Sequence, residues 1–407
     1  MKRGLRFVKL FEFDLLSMES INVQVSIDIK QVSDKYSDKV KARLECVPKL
    51  DFELPFFLPK VYRKNFQDLS NEEQDVLLTQ TESVIKKVSA WLENQFPVVM
   101  KKGTASKITS HSVSYVKYCC PQISPDSDQF YPLVRAISVA LLIDFFVDDT
   151  QLFYDYDFND LRDGFEVFKS LMDDVYERDL DYMDEEVHQK IFKMKEIHGN
   201  KFAAMLVGAA FELTNDSACI FGARGNSRKQ AFFFNKVLES ALAGLLFKSG
   251  DIEECSANTH RYLRSSDGTI AHMVNVMAVI RDAIVPRKVT ENPIFRRFLA
   301  TVDEISGAFN DILGLQKDIR IGEENGNVMY KVKRGVELQV ALEEEISILK
   351  NNINDYMKLK EIIVKYFPLD KNLEEYFDIT DSVLFGLFQV FTESEIYGMR
   401  DHIKISV

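Results

Sequence analysis

Two stretches of this 407-residue sequence carry polar side chains at spacings that a helix would gather onto one face. The first is Leu141-Leu-Ile-Asp144-Phe-Phe-Val-Asp148-Asp149-Thr-Gln-Leu152. Asp144 and Asp148 are four residues apart, so they share a face. Like charges at the end of an apolar helix repel and lose hydration on burial. They persist where a cation neutralises them. Carboxylate oxygens suit Mg²⁺, which binds through a few carboxylates, water and substrate phosphate. The competing reading is a helix that reaches solvent at Asp148 and carries ordinary surface charge.

The second stretch is Phe309-Asn310-Asp311-Ile-Leu-Gly314-Leu-Gln-Lys317-Asp318. Asn310, Gly314 and Asp318 recur every four residues and share a face. An amide and a carboxylate there could hold a second metal ion, with water filling the gap at Gly314. Lys317 beside them could reach a phosphate oxygen. A solvated helix face with chance Asn-Asp and Lys-Asp pairs would read the same way.

The elements that must position these residues are helices. Gly (17) and Pro (10) are scarce for the length, which disfavours sheets and loop-rich folds. Phe (31) and Tyr (15) are abundant against one Trp, as an aromatic helical core or a ring-lined cavity would require. The net charge of −12 disfavours nucleic acid as a partner. The five cysteines show no CxxC spacing, which points away from a disulfide framework or zinc site and towards a reducing, cytoplasmic setting. Charges interrupt every apolar run near the N-terminus, so a signal peptide is not expected. The runs around Leu141 and Leu238–Phe247 are short for a membrane span.

Ile21–Ile29 alternates apolar and polar residues and predicts a strand. Three prolines then cluster near a change of character. The expected organisation is an N-terminal extension over 1–51 and a helical domain over 52–407. Helices are predicted at about 71–96 (Asn71 as N-cap), 130–152, 158–178, 186–222, 227–249, 252–275, 275–285, 292–322, 329–366 and 382–400. Residues 101–128 read as loop with a short helix. The fold class is all-α.

Taken together, the two polar stretches resemble the aspartate-rich DDxxD/E motif and the NSE motif, (N/D)DxxSxxxE, of class I terpene synthases. Arg264-Ser-Ser-Asp267-Gly268, 46 residues before Asn310, resembles that family's pyrophosphate sensor Arg, linker Asp and effector Gly. Phe52-Glu-Leu-Pro55, Arg63-Lys-Asn65 and Ala90-Trp91 resemble the opening of microbial-type domains, and Gly326-Asn327-Val328 fits the stretch after the NSE motif. The resemblance covers roughly 52–400 and implies the class I helical bundle. Departures are Leu152 in place of the third acid, Asp144 in place of a cavity aromatic, Gly314 for Ser and Asp318 for Glu. The C-terminal Arg-Tyr pair has only Ile396-Tyr397, with Arg400 a turn later. The NDxxGxxKD form with an N-terminal extension resembles the octocoral terpene cyclases.

The resemblance implies ionisation of an isoprenoid diphosphate with three Mg²⁺ ions. Asp148 and Asp149 would hold metal from one side, and Asn310 and Asp318, across Gly314, from the other. Arg264, Lys317, Tyr397 and Arg400 would donate to the diphosphate. Asp267 would orient Arg264, the Gly268 carbonyl would face the allylic carbon, and the Phe145 ring would stabilise a carbocation. The expected substrate is geranylgeranyl diphosphate, giving a diterpene, with farnesyl diphosphate second. Chain elongation is disfavoured because a second Asp-rich motif is missing, and a non-catalytic helical protein of the same fold is the rival. No membrane span is expected, and the protein would be a monomer or homodimer. A letter-for-letter DDxxE also occurs at Asp173-Asp174-Val-Tyr-Glu177, but the residues before it alternate apolar and charged, so the metal is assigned to Asp148.

Overall fold

The computed structural model describes residues 19–58, 70–97, 99–121, 123–148, 153, 158–178, 255–268, 270–368, 371–393 and 403–406, with isolated positions between 185 and 246 and at 397 and 399. The helices expected at 186–222 and 227–249 lie largely outside these residues.

The chain opens with strand β1 (Glu19–Asp28), helix α1 (Asp38–Glu45) and strand β2 (Lys49–Leu58). Val23, Val25 and Ile27 are buried while Gln24 is exposed, the alternation that a one-sided strand needs. β1 pairs antiparallel with β2 along its whole length, Val25 opposite Phe52. Residue 52, where the sequence changes character, therefore lies inside a strand. On the other edge β1 pairs with β3 (Ile403–Ser406), so both ends of the chain meet in one sheet of order β2-β1-β3. β3 is too short for its period to register in the sequence, and the pairing partner lies almost four hundred residues away.

Among the described residues the further helices are α2 (Asn71–Gln95), α3 (Thr104–Cys119), α4 (Phe130–Asp148), α5 (Phe158–Arg178), α6 (Ala257–Gly268), α7 (Ile270–Ile280), α8 (Arg287–Thr290), α9 (Pro293–Leu313), α10 (Leu315–Ile321), α11 (Asn327–Lys333), α12 (Leu338–Tyr366) and α13 (Lys371–Glu393). Over 101–128, expected as loop with a short helix, the sixteen-residue α3 takes up most of the stretch. Its buried face is built from Ala105, Ile108, Ser112, Val116 and Cys119. The polar members satisfy themselves inside: Ser112 Oγ donates to Ile108 O (2.8 Å), and Ser138 Oγ of α4 donates to Ser112 Oγ (2.9 Å). That makes an apolar face from residues that read as polar.

Other boundaries move for local reasons. The helix starting at Asn71 has Ser70, not Asn71, before it. Asn292 caps α9 through its side-chain oxygen, which accepts from Ile294 N (2.9 Å), with Pro293 in the first turn. The helix expected over 292–322 is interrupted at Gly314. The one expected over 329–366 is broken at Gly335, whose φ of 102° only glycine adopts readily. The helix expected over 382–400 runs instead over Lys371–Glu393.

α4 is the central helix, packed against α3 and α2. By length and mean hydropathy (18 residues, 1.8) Phe130–Val147 could cross a membrane, yet 72% of it is buried inside the fold, as a core helix is. α9 is the second spine, against α12, α6, α7 and α13. β2 seals one end of the core: Phe56 packs on Phe309 (4.8 Å, edge to face) and Phe388 (5.2 Å), and Phe57 stacks on Tyr356 (5.9 Å).

Asp303 of α9 accepts the amide of Ala271 (2.8 Å), in the first turn of α7. Burial pushes its carboxyl up from 3.8 to about 7, against the pull of that amide bond. A raised folded pKa means that the folded state holds the extra proton, so this contribution to stability is full below 3.8 and is lost as pH rises to about 7. Asp303→Asn keeps an oxygen for Ala271. The variant is expected to show a flatter loss of unfolding free energy between pH 5 and 7.5, and to be the more stable by ~1 kcal/mol at the upper end. Equal slopes in denaturant titrations would contradict this.

Candidate active site

α3, α4, α6, α7, α9, α10 and α13 surround a cavity of ≈ 130 Å³. On α4, Ile137, Ala140, Leu141, Asp144 and Phe145 line it, a run at three- and four-residue spacing that defines one helix face. Arg264, Asn310, Lys317 and Tyr397 line the same cavity. Five of the residues singled out in the sequence (Phe145, Arg264, Asn310, Lys317 and Tyr397) therefore line one cavity together with Asp144. Asp148 is the last residue of α4, one turn beyond Asp144. Gly268 ends α6, one residue after Asp267. Asp149 and Arg400 lie outside the described residues, as do the side chains of Asp148 and Asp267.

Aromatic groups close the apolar part. His111 lies against Phe145 (6.0 Å), Tyr115 (5.0 Å) and Tyr397 (5.8 Å), and Tyr397 packs edge-on to Phe391 (4.6 Å). Burial, with help from the Lys317 and Lys107 charges, pushes His111 down to about 3, so it is a neutral ring at physiological pH. The Lys317 ammonium sits 5.5 Å from the Tyr397 ring centre.

Arg264 is 7% exposed and its Nε donates to Asp311 Oδ1 (2.9 Å). The other carboxylate oxygen of Asp311 accepts from the backbone N (2.7 Å) and side-chain Nδ2 (2.8 Å) of Asn327. Asn327 Oδ1 can only accept, so His260 Nδ1, 3.0 Å away, carries the proton. Burial pushes His260 down to about 4, which keeps it neutral in that role. Glu345 continues the network to Arg261 (3.2 Å). Asp311 thus orients Arg264; the side chain of Asp267, to which the sequence assigned that role, lies outside the described residues. Asp311 stands beside Asn310 but belongs to the flank of α9 turned towards α6 and α11, and only the packing of three helices makes that visible.

Around Gly314 the backbone ladder continues: Gly314 N bonds Asn310 O (2.7 Å), and Asp318 N bonds Gly314 O (2.9 Å). A Cβ at Gly314 would fall 2.4 Å from Asn310 O and 3.0 Å from Asn310 Oδ1, so the serine of the NSE motif does not fit this backbone. Asp318 is buried (3% exposed) and is not part of the cavity lining. Its Oδ1 lies 3.7 Å from the Lys317 ammonium, and burial, partly offset by Lys317, pushes the carboxyl up to about 7. A buried carboxylate so weakly paired fits a cation. Asn310 and Asp144 line the cavity, and all three side chains carry oxygen donors of the kind Mg²⁺ takes. Among the described residues no three His, Cys, Asp or Glu side chains already stand grouped as a metal site.

The Asp173 carboxylate is in an ion pair with Lys169 on α5 (2.8 Å), on a helix whose Arg162, Asp163 and Glu166 are exposed. It does not line the cavity.

No protein-family profile and no curated protein matches the sequence. Solved structures do match the fold. An α-eudesmol synthase aligns with a TM-score of 0.57 at 16% identity, over 77% of this chain and 94% of that one. 2-Methylisoborneol synthase from Streptomyces coelicolor A3(2), in complex with Mg²⁺ and geranyl-S-thiolodiphosphate, aligns with a TM-score of 0.57 at 10% identity, over 80% and 94%. Linalool/nerolidol synthase from Streptomyces clavuligerus, in complex with 2-fluorogeranyl diphosphate, aligns with a TM-score of 0.55 at 12% identity, over 77% and 94%. The architecture is the class I terpene synthase helical fold, with a short N-terminal strand pair added.

Proposed function

We propose that this chain is a class I terpene cyclase that ionises geranylgeranyl diphosphate and closes the resulting carbocation into a diterpene. The observation that carries the reading is the shared cavity wall of Asp144, Arg264, Asn310 and Lys317 with the rings of Phe145, Phe391 and Tyr397. Cationic and hard-oxygen groups suited to a diphosphate thus meet aromatic rings suited to a hydrocarbon cation. The fold shared with synthases solved with Mg²⁺ and diphosphate analogues supports it.

Bound Mg²⁺ supplies the positive charge that makes diphosphate a leaving group. Asp148 and Asp149 would hold metal from the end of α4, and Asn310 and Asp318 from α9 and α10; the gap expected at Gly314 is filled by Asn310 O and Oδ1. Arg264 and Lys317 donate to diphosphate oxygens, the Arg264 fork being fixed by Asp311. Tyr397 and Arg400, on the C-terminal segment, add donors. The C–O bond breaks heterolytically and diphosphate leaves with the electron pair. The Gly268 carbonyl dipole and the Phe145 π-face stabilise the allylic cation. The apolar wall excludes water that would quench it. The C20 chain length rests on the octocoral-type pattern of the second motif and on the Phe-rich composition.

The test is incubation with geranyl, farnesyl and geranylgeranyl diphosphates, with Mg²⁺ or with EDTA, read by gas chromatography and mass spectrometry. A cyclic C20 hydrocarbon that forms only with Mg²⁺ is expected. Efficient C15 cyclisation without C20 product would reverse the chain length. Full turnover in EDTA would remove the metal from the mechanism, and no diphosphate release from any substrate would favour the non-catalytic reading.

A further inference from the structure

We propose that Tyr36 is a positioning residue for the Asp318 side of the site, and that residues 19–58 act as a strap that fixes α10 against the end of α9. This rests on the reading of Asp318 as a metal-holding residue.

The contacts between the strap and α10 are specific. The Tyr36 hydroxyl lies within hydrogen-bond distance of two carbonyl oxygens, Asp318 O (2.8 Å) and Glu323 O (2.9 Å). One is the backbone of the proposed ligand itself; the other lies just past the helix end. Ser33 N donates to Ile319 O (3.0 Å), and Gln316 Nε2 donates to Asp28 O (3.3 Å). Four consecutive residues of α10 are thereby bracketed, with Lys317 and Asp318 in the middle.

The close approach is built into the sequence on both sides. Gly322 ends α10 with a φ of 79°, and a Cβ there would meet Ser33 Oγ at 2.7 Å and Lys35 Cβ at 2.8 Å. Tyr36 is buried (3% exposed), and burial together with the Asp318, Glu323 and Glu324 charges raises its pKa, so it remains a donor. The strap is itself anchored in the core by Phe56, which packs on Phe309, the residue before Asn310. The two proposed metal-holding residues of this segment are therefore braced from the same N-terminal unit, Asn310 through Phe56 and Asp318 through Tyr36. Partners that orient a metal ligand without touching the metal commonly change affinity by 10-fold or more when removed.

Tyr36→Phe keeps the ring and deletes only the hydroxyl. The experiment measures binding of inorganic pyrophosphate by calorimetry across a Mg²⁺ series, alongside thermal unfolding and steady-state kinetics. The Mg²⁺ needed for half-saturation is expected to rise about 10-fold in Tyr36→Phe, with kcat lowered and KM for the prenyl diphosphate little changed. Gln316→Met, which deletes a second bond to the strap, is expected to shift it in the same direction by less. Arg43→Ala loosens the same unit at a different place, the Val332 carbonyl (3.5 Å), and is expected to lower the unfolding temperature without moving the Mg²⁺ requirement. Unchanged half-saturation in both Tyr36→Phe and Gln316→Met, beside a wild type that binds Mg²⁺–pyrophosphate, would overturn the positioning role alone. An equal shift in Arg43→Ala would reduce it to general destabilisation. A wild type that binds no Mg²⁺–pyrophosphate would remove the underlying reading and this inference with it.

Discussion

Arg264→Ala is expected to lower kcat by about 10²- to 10³-fold, the loss of ~2.7–4 kcal/mol that follows removal of a charge-assisted donor from a water-excluded site. The same substitution strips Asp311 of its cation. Breaking a buried pair by removing one partner costs about 3–5 kcal/mol when the remaining charge is left alone. Here Asn327 still donates twice to Asp311 (2.7 and 2.8 Å), so the loss should fall below that range and the protein should still fold. The two effects can be separated. Adding Asp311→Asn to Arg264→Ala removes the stranded charge, so the double variant should recover much of the unfolding temperature and none of the turnover. Wild-type kinetics in folded Arg264→Ala would refute the assignment, and recovery of turnover in the double variant would show that the single variant had failed through misfolding.

How much of this was legible in the sequence depends on the range of the interaction. α4 was readable because its burial is nearly uniform and its two acids break the pattern at one edge. α5 was readable over 158–178, residue for residue, because its amphipathic period is clean. α3 was not, since its core face includes Ser112, satisfied by Ile108 O on the same helix and by Ser138 on α4. β3 was invisible because four residues carry no period and its partner is at the other end of the chain. Within the site, spacing brought out Asn310 and Lys317, which line the cavity, but it did not bring out Asp311 as a partner of Arg264. That contact depends on how α6 crosses α9, and a helix period has no information about a crossing. The expectation that Asp318 faces the cavity with Asn310 was likewise geometric: the ladder through Gly314 keeps them on one side, yet Asp318 sits deeper, beneath Lys317 and against the strap.

The position of the first metal-holding segment gives the other large expected effect. Asp173-Asp174-Val-Tyr-Glu177 matches an aspartate-rich motif better than Asp148-Asp149-Thr-Gln-Leu152 does. We propose Asp148 nonetheless, on the difference in environment. The Asp173 carboxylate is engaged by Lys169 at 2.8 Å on a helix with a solvated face, where an ion pair is worth little and a carbocation would meet water. α4 presents Ile137, Ala140, Leu141, Asp144 and Phe145 to the cavity, and three- and four-residue steps from Asp144 and Phe145 lead to position 148. Asp148 therefore ends the face that the cavity uses. Asp148→Asn removes a metal-holding charge at that end and is expected to abolish detectable product. The Asp173→Asn, Asp174→Asn double variant is expected to keep most activity and to lose no more than about 1 kcal/mol of stability, the size of an exposed helix pair. Product analysis of two folded variants decides it: activity surviving in Asp148→Asn and vanishing in the double variant would relocate the metal to α5 and the cavity with it.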